Sequence, residues 1–351
     1  NGIPVAIIGQ AFPYTPLANG AQFTPDWEFG IDEARLQAVV NEVRKKGAQV
    51  VVLLSHNGMD IDLKLASRIS GIDMILGGHT HDGVPVPSVV QNPGGATVVT
   101  NAGSHGKFLA VIDFDVKHGR VADYRYHLLP VFSELLPADP AMQATIDRAR
   151  APFESRLQEP IAESQELLYR RGNFNGSWDQ IIVEALMQVK GTEIAFSPGF
   201  RWGATLLPGQ TITRENLMEQ TAITYPDTSV VEMTGAEIKQ HLEKLCDKLF
   251  NDDPYQHQGG DMVRTGGLVY ACEPAARMNS RISDMTLNGQ PIQADKAYKV
   301  ARWGVGSAQS EGEPVWDVVE QYLKSAPLVN RHTPNVPRLI GVGANPGFAN
   351  E

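Results

Sequence analysis

Short apolar runs alternate with amphipathic stretches along the first part of the chain. Residues 3–8 and 50–54 are apolar and rich in β-branched side chains, which is typical of strands, and the second run suits a strand buried on both faces. Residues 31–46 and 61–69 have apolar positions at helical spacing, and residues 72–76 form another short apolar run. This alternation of strands and helices predicts an α/β sandwich.

The second part of the chain has a mixed pattern. Residues 137–157 are rich in Ala, Arg, Gln and Glu, with apolar residues at helical spacing, and predict one long linking helix. Further helices are predicted at residues 178–189 and 235–250, and strands at 229–233, 285–287 and 298–301. We therefore predict an α/β chain in three parts: part of a sandwich over residues 1–130, a linking helix over 131–158, and an α+β domain over 159–351.

Composition narrows the possible partners. The chain has 351 residues, which favours two domains over one. Its net charge of −10 is spread along the sequence and argues against nucleic-acid binding, which needs clustered Lys and Arg. No apolar run is long enough for a membrane-spanning helix. Cys246 and Cys272 are either two buried thiols or one disulfide.

Histidines follow two of the predicted strands directly. The first strand runs into SHNGMD at residues 55–60, and the second runs into GGHTH at residues 77–81. Loops at the carboxyl ends of strands in open α/β sheets are where ligands bind, and neutral imidazole is a common metal ligand. A lone histidine after a strand is more often a surface or structural residue, but the two segments together predict a metal site formed by His56, His79 and His81.

Three neighbouring residues are expected to support these histidines. Asp60 and Asp62 follow His56 and could fix the tautomer of an imidazole, although one of them could equally cap the following helix. His105 lies in a loop near the expected site, where a structural or rim role is favoured over metal binding.

The segment GGHTH at residues 77–81 resembles the last metal-binding motif of the calcineurin-like metallophosphoesterases, and His56 resembles the histidine of their preceding motif. This resemblance implies a two-metal hydrolase in which His56 and His79 bind one ion and His81 binds the other. Residues 1–130 would be the C-terminal half of a metallophosphoesterase domain, and residues 159–351 resemble the 5′-nucleotidase C-terminal substrate domain.

The family's earlier motifs, Asp-x-His, Gly-Asp-x-x-Asp and Gly-Asn-His-Asp/Glu, do not occur in this sequence. In the family they supply a bridging aspartate, an asparagine ligand and a catalytic histidine. We therefore expect a missing N-terminal metallophosphoesterase segment, no catalytic residue in this chain beyond the metal ligands, and an inactive chain when it is alone.

Two further segments resemble the SoxB-type thiosulfohydrolases within this superfamily: GQAFPYT at residues 9–15 and SHNGMD at residues 55–60. Where nucleotidases carry Asn-Gly-Gly-Gly-Ile-Arg, residues 197–203 read SPGFRWG and keep the arginine as Arg201. The resemblance implies sulfate release from a cysteine S-thiosulfonate on a sulfur-carrier protein, with two divalent ions, Mn²⁺ by resemblance, in the periplasm. Arg201 and, less directly, Arg264 would bind the substrate, the alternative for Arg201 being a surface ion pair.

Two other functions remain open from the sequence. A 5′-nucleotidase or cyclic phosphodiesterase would use the same histidines on a phosphate ester. A non-catalytic fragment with an incomplete metal site would explain the missing motifs.

Overall fold

The computed structural model describes residues 2–19, 21–170, 174–200, 203–304, 312–329 and 333–343. Contacts divide the chain into two compact units. Unit 1 comprises Asn1–Gln143 and Asp252–Gly259, and unit 2 comprises Ala144–Asn251 and Gly260–Glu351. Within the described residues, no helix combines the length and the apolar composition needed to cross a bilayer.

Unit 1 alternates strands and helices. Its strands are β1 (Val5–Gln10), β2 (Val50–Ser55), β3 (Met74–Gly77), β4 (Ser88–Asn92), β5 (Gly95–Asn101), β6 (Phe108–Lys117) and β7 (Arg120–Pro130). Its helices are α1 (Thr15–Ala18), α2 (Glu33–Lys45) and α3 (Met59–Arg68), with 3₁₀ turns at Ala21–Phe23 and Pro254–Gln256.

Five of these strands form one sheet in the order β1-β2-β3-β5-β4. The strands β1, β2, β3 and β5 are parallel, and β4 pairs antiparallel with β5. Helices α2 and α3 cover one face, where Val40, Leu53, Leu65, Ile75 and Val99 belong to one buried core. Because β2 and β3 are parallel neighbours, the loops that follow them lie at the same edge of the sheet.

The opposite face of this sheet carries the hairpin β6–β7 at one side only, as far as the described residues go. There Thr100 of β5 donates a 2.9 Å hydrogen bond to the hydroxyl of Tyr126 on β7. Over β1 and β2, the side chains of Val5, Ile7 and Leu54 share this face by register and are 54%, 71% and 57% exposed. These three residues form an exposed surface that we call the apolar β1–β2 face.

The linking segment differs from the prediction. One long helix within residues 131–158 is wrong, because α4 (Pro140–Arg150) and α5 (Glu154–Leu157) are separated by a turn. The turn contains Pro152, which lacks an N–H for the helical ladder and whose ring clashes with the carbonyl four residues earlier. Neither helix contains a buried residue.

Unit 2 mixes helices and strands less regularly. Its strands are β8 (Pro160–Ser164), β9 (Ile194–Ser197), β10 (Thr211–Thr213), β11 (Thr228–Thr234), β12 (Arg264–Gly266), β13 (Leu268–Cys272), β14 (Ile282–Leu287), β15 (Gln290–Pro291), β16 (Ala297–Trp303), β17 (Leu328–Val329) and β18 (Arg338–Leu339). Its helices are α6 (Ser177–Lys190), α7 (Arg214–Thr221), α8 (Gly235–Leu249) and α9 (Val315–Ser325).

Three sheets organise unit 2, in the orders β10-β8-β17, β11-β16-β9-β12 and β15-β14-β13-β18. Helix α6 is buried along most of its length, and Trp178 and Leu186 share a core with Val318 of α9. A second core joins Leu242 of α8 to Tyr270 of β13. The α+β character predicted for this part of the chain is confirmed.

Candidate metal centre

Two of the three predicted metal ligands lie side by side. His56 directly follows β2, and His79 follows β3 after one further residue. The centroids of their imidazole rings are 5.4 Å apart, with 61° between the ring planes, and His56 is exposed to solvent. The parallel pairing of β2 and β3 thus brings the two histidines together at one edge of the sheet.

Gly78 permits this close approach. A Cβ at residue 78 would lie 3.2 Å from Nδ1 of His56 and 3.3 Å from the carbonyl oxygen of Ser55. On either side of Thr80, His79 and His81 have φ angles of 70° and 60°, in the left-handed region that few residues other than glycine adopt. Backbone strain of this kind clusters at functional sites, so the conformation supports a functional role for the segment.

The loop after β1 forms an aromatic wall beside the imidazoles. The ring of Phe12 lies 4.1 Å from that of His79, tilted by 31°, and 6.2 Å from that of His56. One side of the histidine pair is therefore apolar, which strengthens electrostatic interactions of the rings compared with open water.

The third predicted ligand has a different ring neighbour. The rings of His81 and His105 have centroids 6.0 Å apart and lie nearly perpendicular, at 82°. Nδ1 of His105 is 3.0 Å from the hydroxyl of Ser104, at an exposed position. The structure therefore groups His56 with His79 and His81 with His105, and the supporting role of His105 stays a prediction.

Asp62 is buried beneath the loop that carries His56. Its Oδ1 accepts hydrogen bonds from the Ser55 hydroxyl at 2.6 Å and from Nδ2 of Asn57 at 3.0 Å, and its Oδ2 has no hydrogen-bond partner among the described residues. Burial raises the pKa of this carboxyl to about 6. Asp62 thus holds the residues on both sides of His56, although none of these bonds is made to the imidazole.

Asp60 points away from that contact. Its exposed carboxylate lies 3.2 Å from Nδ1 of His257. The alternative that Asp60 or Asp62 caps α3 is wrong, because Gly58 occupies the N-cap position and both aspartates lie in the first helical turn.

A main-chain group that the sequence did not indicate contacts the site. The carbonyl oxygen of Gln258 lies 2.8 Å from Nε2 of His79. Residues 252–259 belong to unit 1, although the residues before and after them belong to unit 2. Every residue has a carbonyl oxygen, so no side-chain motif could have indicated this contact, and the adjacent Gly259-Gly260 pair was its only signal.

Of the two predicted substrate-binding arginines, the structure describes Arg264. Arg201 lies outside the described residues. The fully buried guanidinium of Arg264 forms ion pairs with Asp179 at 3.2 Å and with Asp261 at 3.0 Å. Arg170 forms a further ion pair with Asp179 at 2.8 Å. Arg264 therefore belongs to a buried network of charges, and its contact with a substrate stays a prediction.

The imidazoles of His56 and His79 could supply the nitrogen ligands of a transition-metal site. Imidazole suits such ions, and His56 and His79 approach closely enough to share a small site. Within the described part of the chain, no group of three or more His, Cys, Asp or Glu side chains is arranged to hold one ion. A complete centre would therefore need further donors.

Comparisons with known proteins place the chain in a superfamily. The family model of the 5′-nucleotidase C-terminal domain matches residues 161–316. The structure of sulfate thiohydrolase SoxB from Thermus thermophilus is similar with a TM-score of 0.91 and 38% identity, covering 98% of this chain and 64% of that one. A 5′-nucleotidase precursor, also from Thermus thermophilus, shares the fold with a TM-score of 0.83 and 24% identity, covering 98% of this chain and 74% of that one.

Among curated proteins, UshA of Yersinia enterocolitica is 21% identical over 375 residues, covering 92% of this chain and 65% of that protein. The chain therefore spans less than two thirds of the length of UshA and of SoxB. SoxB and the nucleotidase precursor are hydrolases by name, and together with the family model they confirm the superfamily that the histidine motifs predicted. The chain is a SoxB-type member of the 5′-nucleotidase superfamily.

Proposed function

We propose that the chain is the C-terminal part of a two-metal thiosulfohydrolase, which releases sulfate from a cysteine S-thiosulfonate on a sulfur-carrier protein. The observation that carries this proposal is that the imidazole rings of His56 and His79 lie at adjacent strand ends, with their centroids 5.4 Å apart. The 38% identity to SoxB over 98% of the chain favours this chemistry over that of more distant relatives.

In this proposal His56 and His79 hold one divalent ion and His81 holds the other. Such ions, when bound, would stabilise anionic oxygens and lower the pKa of a water molecule. Phe12 would shield one side of the imidazole pair from solvent. Manganese and a periplasmic location follow from the same resemblance, as does the sulfur-carrier partner.

The reaction joins a water oxygen to the terminal sulfonate sulfur of the carrier-bound group. The bond between that sulfur and the sulfur retained by the carrier breaks, and its electron pair stays on the carrier. Sulfate leaves with the new oxygen, and the protons of the water pass to the carrier sulfur and to solvent. Arg201 is the proposed contact for the anionic oxygens, because a planar guanidinium can bind two of them at once. Arg264 is the weaker candidate, since Asp179 and Asp261 already engage it.

We propose further that a metallophosphoesterase segment with the remaining ligands packs on the apolar β1–β2 face. Val5, Ile7 and Leu54 give this face a contiguous apolar character, which exposed faces of a stable sheet usually avoid. Burying them would bring strands that carry Asp, Asn and His ligands to the sheet edge where His56 and His79 lie. The chain's coverage of 64% of SoxB supports such an added segment.

A 5′-nucleotidase or cyclic phosphodiesterase is the alternative enzyme. The match of residues 161–316 to the family model of the 5′-nucleotidase C-terminal domain favours it. Both reactions act on a tetrahedral anionic centre, so the same histidines would serve either substrate. For the chain alone, a non-catalytic fragment is a further alternative, which the lack of a three-donor cluster in the described residues favours.

The test uses the full-length protein loaded with Mn²⁺. It is incubated with a carrier protein that bears the thiosulfonate and, in parallel, with AMP. We expect sulfate release to exceed phosphate release by orders of magnitude, and His56→Gln to abolish sulfate release. Faster phosphate release from AMP would replace this proposal with the nucleotidase.

A further inference from the structure

We infer that the main-chain carbonyl of Gln258 is a positioning group for His79, which keeps the imidazole proton on Nε2 and leaves the lone pair of Nδ1 for a metal ion. The inference rests on the metal role proposed for His79. Loss of such outer partners of ligating histidines lowers metal affinity by roughly 10–100-fold.

The contact itself determines the tautomer. Nε2 of His79 lies 2.8 Å from the Gln258 oxygen, a normal hydrogen-bond distance. A carbonyl oxygen can only accept, so Nε2 must donate and carry the proton. In a neutral imidazole, the other nitrogen then has the lone pair. The ring of Phe12, 4.1 Å away, restricts rotation of the imidazole out of this contact.

Gly259 makes the carbonyl's position possible. Its φ is +69°, and a Cβ at this residue would lie 2.4 Å from Nε2 of His79 and 2.6 Å from Cδ2. No side chain fits at such distances unless the imidazole moves. Position 259 therefore requires glycine both for its backbone conformation and for the space that the imidazole occupies.

The segment that carries this carbonyl is tied to the rest of unit 1 by side chains. Lys64 forms a 2.6 Å ion pair with Asp253, and its ammonium lies 4.0 Å above the ring of Tyr255. The hydroxyl of Tyr255 donates to Glu33 at 2.8 Å, and the hydroxyl of Tyr14 donates to the carbonyl of Tyr255. These contacts hold residues 252–259 against α2, α3 and the loop after β1. The Gln258 carbonyl is therefore fixed relative to His79, as a positioning role requires.

Gly260 provides a matched control. Its φ of +80° makes Gly260→Ala as strained as Gly259→Ala, but among the described residues an added Cβ would have only the Gly199 carbonyl oxygen nearby, at 3.7 Å. The two variants thus share the backbone cost, and only Gly259→Ala pushes against the imidazole of His79.

The first measurement is the tautomer in the metal-free 351-residue chain. Long-range ¹H–¹⁵N correlation spectra with labelled histidine are recorded at about pH 8.5, where imidazole is neutral. The His79 signals are assigned by their loss in His79→Gln. We expect a single Nε2–H tautomer with slow proton exchange in wild type and Gly260→Ala. In Gly259→Ala we expect averaged nitrogen signals and rapid exchange. Identical His79 signals in both glycine variants would overturn the inference.

The second measurement is Mn²⁺ affinity of the full-length protein by calorimetry. Gly259→Ala should weaken binding at least tenfold, while Gly260→Ala stays within twofold of wild type. Equal affinities in these variants would overturn the positioning role even if the enzyme is active. If the tautomer result holds but wild type binds no metal, the contact stands and the proposed hydrolase fails.

A variant away from the imidazole covers the case in which Gly259→Ala does not fold. Lys64→Met keeps an unbranched side chain but removes both the ion pair with Asp253 and the ammonium contact with the Tyr255 ring. It should speed exchange of the His79 Nε2 proton and weaken Mn²⁺ binding in the same direction, by a smaller factor. Unchanged exchange in a folded Lys64→Met protein would contradict the anchoring of the segment.

Discussion

Ser55 donates a 2.6 Å hydrogen bond to the buried carboxylate of Asp62, and this contact holds the last residue of β2, directly before His56. Asn57 donates to the same oxygen from the other side of the histidine. The position of the exposed His56 imidazole thus depends on a carboxylate in the protein interior, whose pKa burial raises to about 6.

We predict that Asp62→Asn changes the pH dependence of stability in the metal-free chain. The raised pKa means that the folded state binds this proton more tightly than the unfolded chain, whose carboxyl has the ordinary value of 3.8. The ionised carboxylate therefore destabilises the fold increasingly as pH rises through this interval, and the cost is absent below it. A shift of roughly two pH units corresponds to about 3 kcal/mol.

The free energy of unfolding of Asp62→Asn, relative to wild type, should therefore rise by up to about 3 kcal/mol between about pH 4 and pH 7. Urea unfolding in the presence of EDTA measures this difference. Asp60→Asn, at an exposed position two residues earlier, is the matched control and should show a much smaller change. A difference between Asp62→Asn and wild type that is constant with pH would contradict the prediction.

The sequence indicated the histidine pair but not the groups that support it. His56 follows β2 and His79 follows β3 within two residues, so local apolar runs were sufficient to place both at one sheet edge. The burial of Asp62 could not be read in the same way, since an acidic residue in a first helical turn is usually exposed. The Gln258 carbonyl reaches His79 across 179 residues of sequence, a tertiary contact that no periodicity encodes. Pro152 could have indicated the break between α4 and α5, but the Ala-, Arg-, Gln- and Glu-rich residues around it favoured one continuous helix.

Leu53 and Leu54 are adjacent residues with opposite environments, and they test the apolar β1–β2 face. Leu53 is fully buried under α2 and α3, whereas Leu54 is 57% exposed. In the 351-residue chain, Leu53→Ala should lower the free energy of unfolding by about 2–5 kcal/mol and Leu54→Ala by well under 1 kcal/mol. In the full-length protein the loss for Leu54→Ala should grow to at least about 2 kcal/mol, because the proposed segment would cover it. An equal loss in both proteins would refute the covering of this face.

Arg264 is expected to contribute to the stability of the chain, whether or not it also contacts a substrate. Removing one partner from a buried ion-pair network leaves uncompensated charge, so Arg264→Ala should destabilise the chain by about 3–5 kcal/mol. The control is Arg338→Ala, which breaks an Arg–Asp pair whose side chains are 63% and 66% exposed and should cost less than about 1 kcal/mol. If Arg264→Ala were fully stable yet lost affinity for the substrate, Arg264 would be a direct contact.

Cys246 and Cys272 should be unreactive in the folded protein. Both are buried free thiols, with sulfur atoms 3.5 Å apart. The contact with Cys272 and burial raise the pKa of the Cys246 thiol, whereas the contact with Cys246 lowers the pKa of Cys272. Cys272 is therefore protected by its burial, which keeps the reagent away from both sulfur atoms. Ellman's reagent should detect almost no thiol in the native chain within minutes and both thiols after unfolding without reductant. Detection of none after unfolding would identify a disulfide instead.

The effect of each histidine substitution on metal binding should depend on whether the histidine is a proposed metal ligand. His79→Gln removes a proposed ligand, so its loss of Mn²⁺ affinity in the full-length protein should exceed the roughly 10–100-fold typical of an outer partner. It should therefore also exceed the loss in Gly259→Ala, which displaces that imidazole from the Gln258 carbonyl but keeps the ligand in the chain. His81→Gln should remove the other ion and lower the bound metal from two ions to one per chain, as measured by elemental analysis after dialysis. His127→Gln, at an exposed position on β7, is the matched control and should leave metal content unchanged. Full metal content in both His79→Gln and His81→Gln would show that the imidazoles at these strand ends do not bind the metal, whatever reaction the enzyme performs.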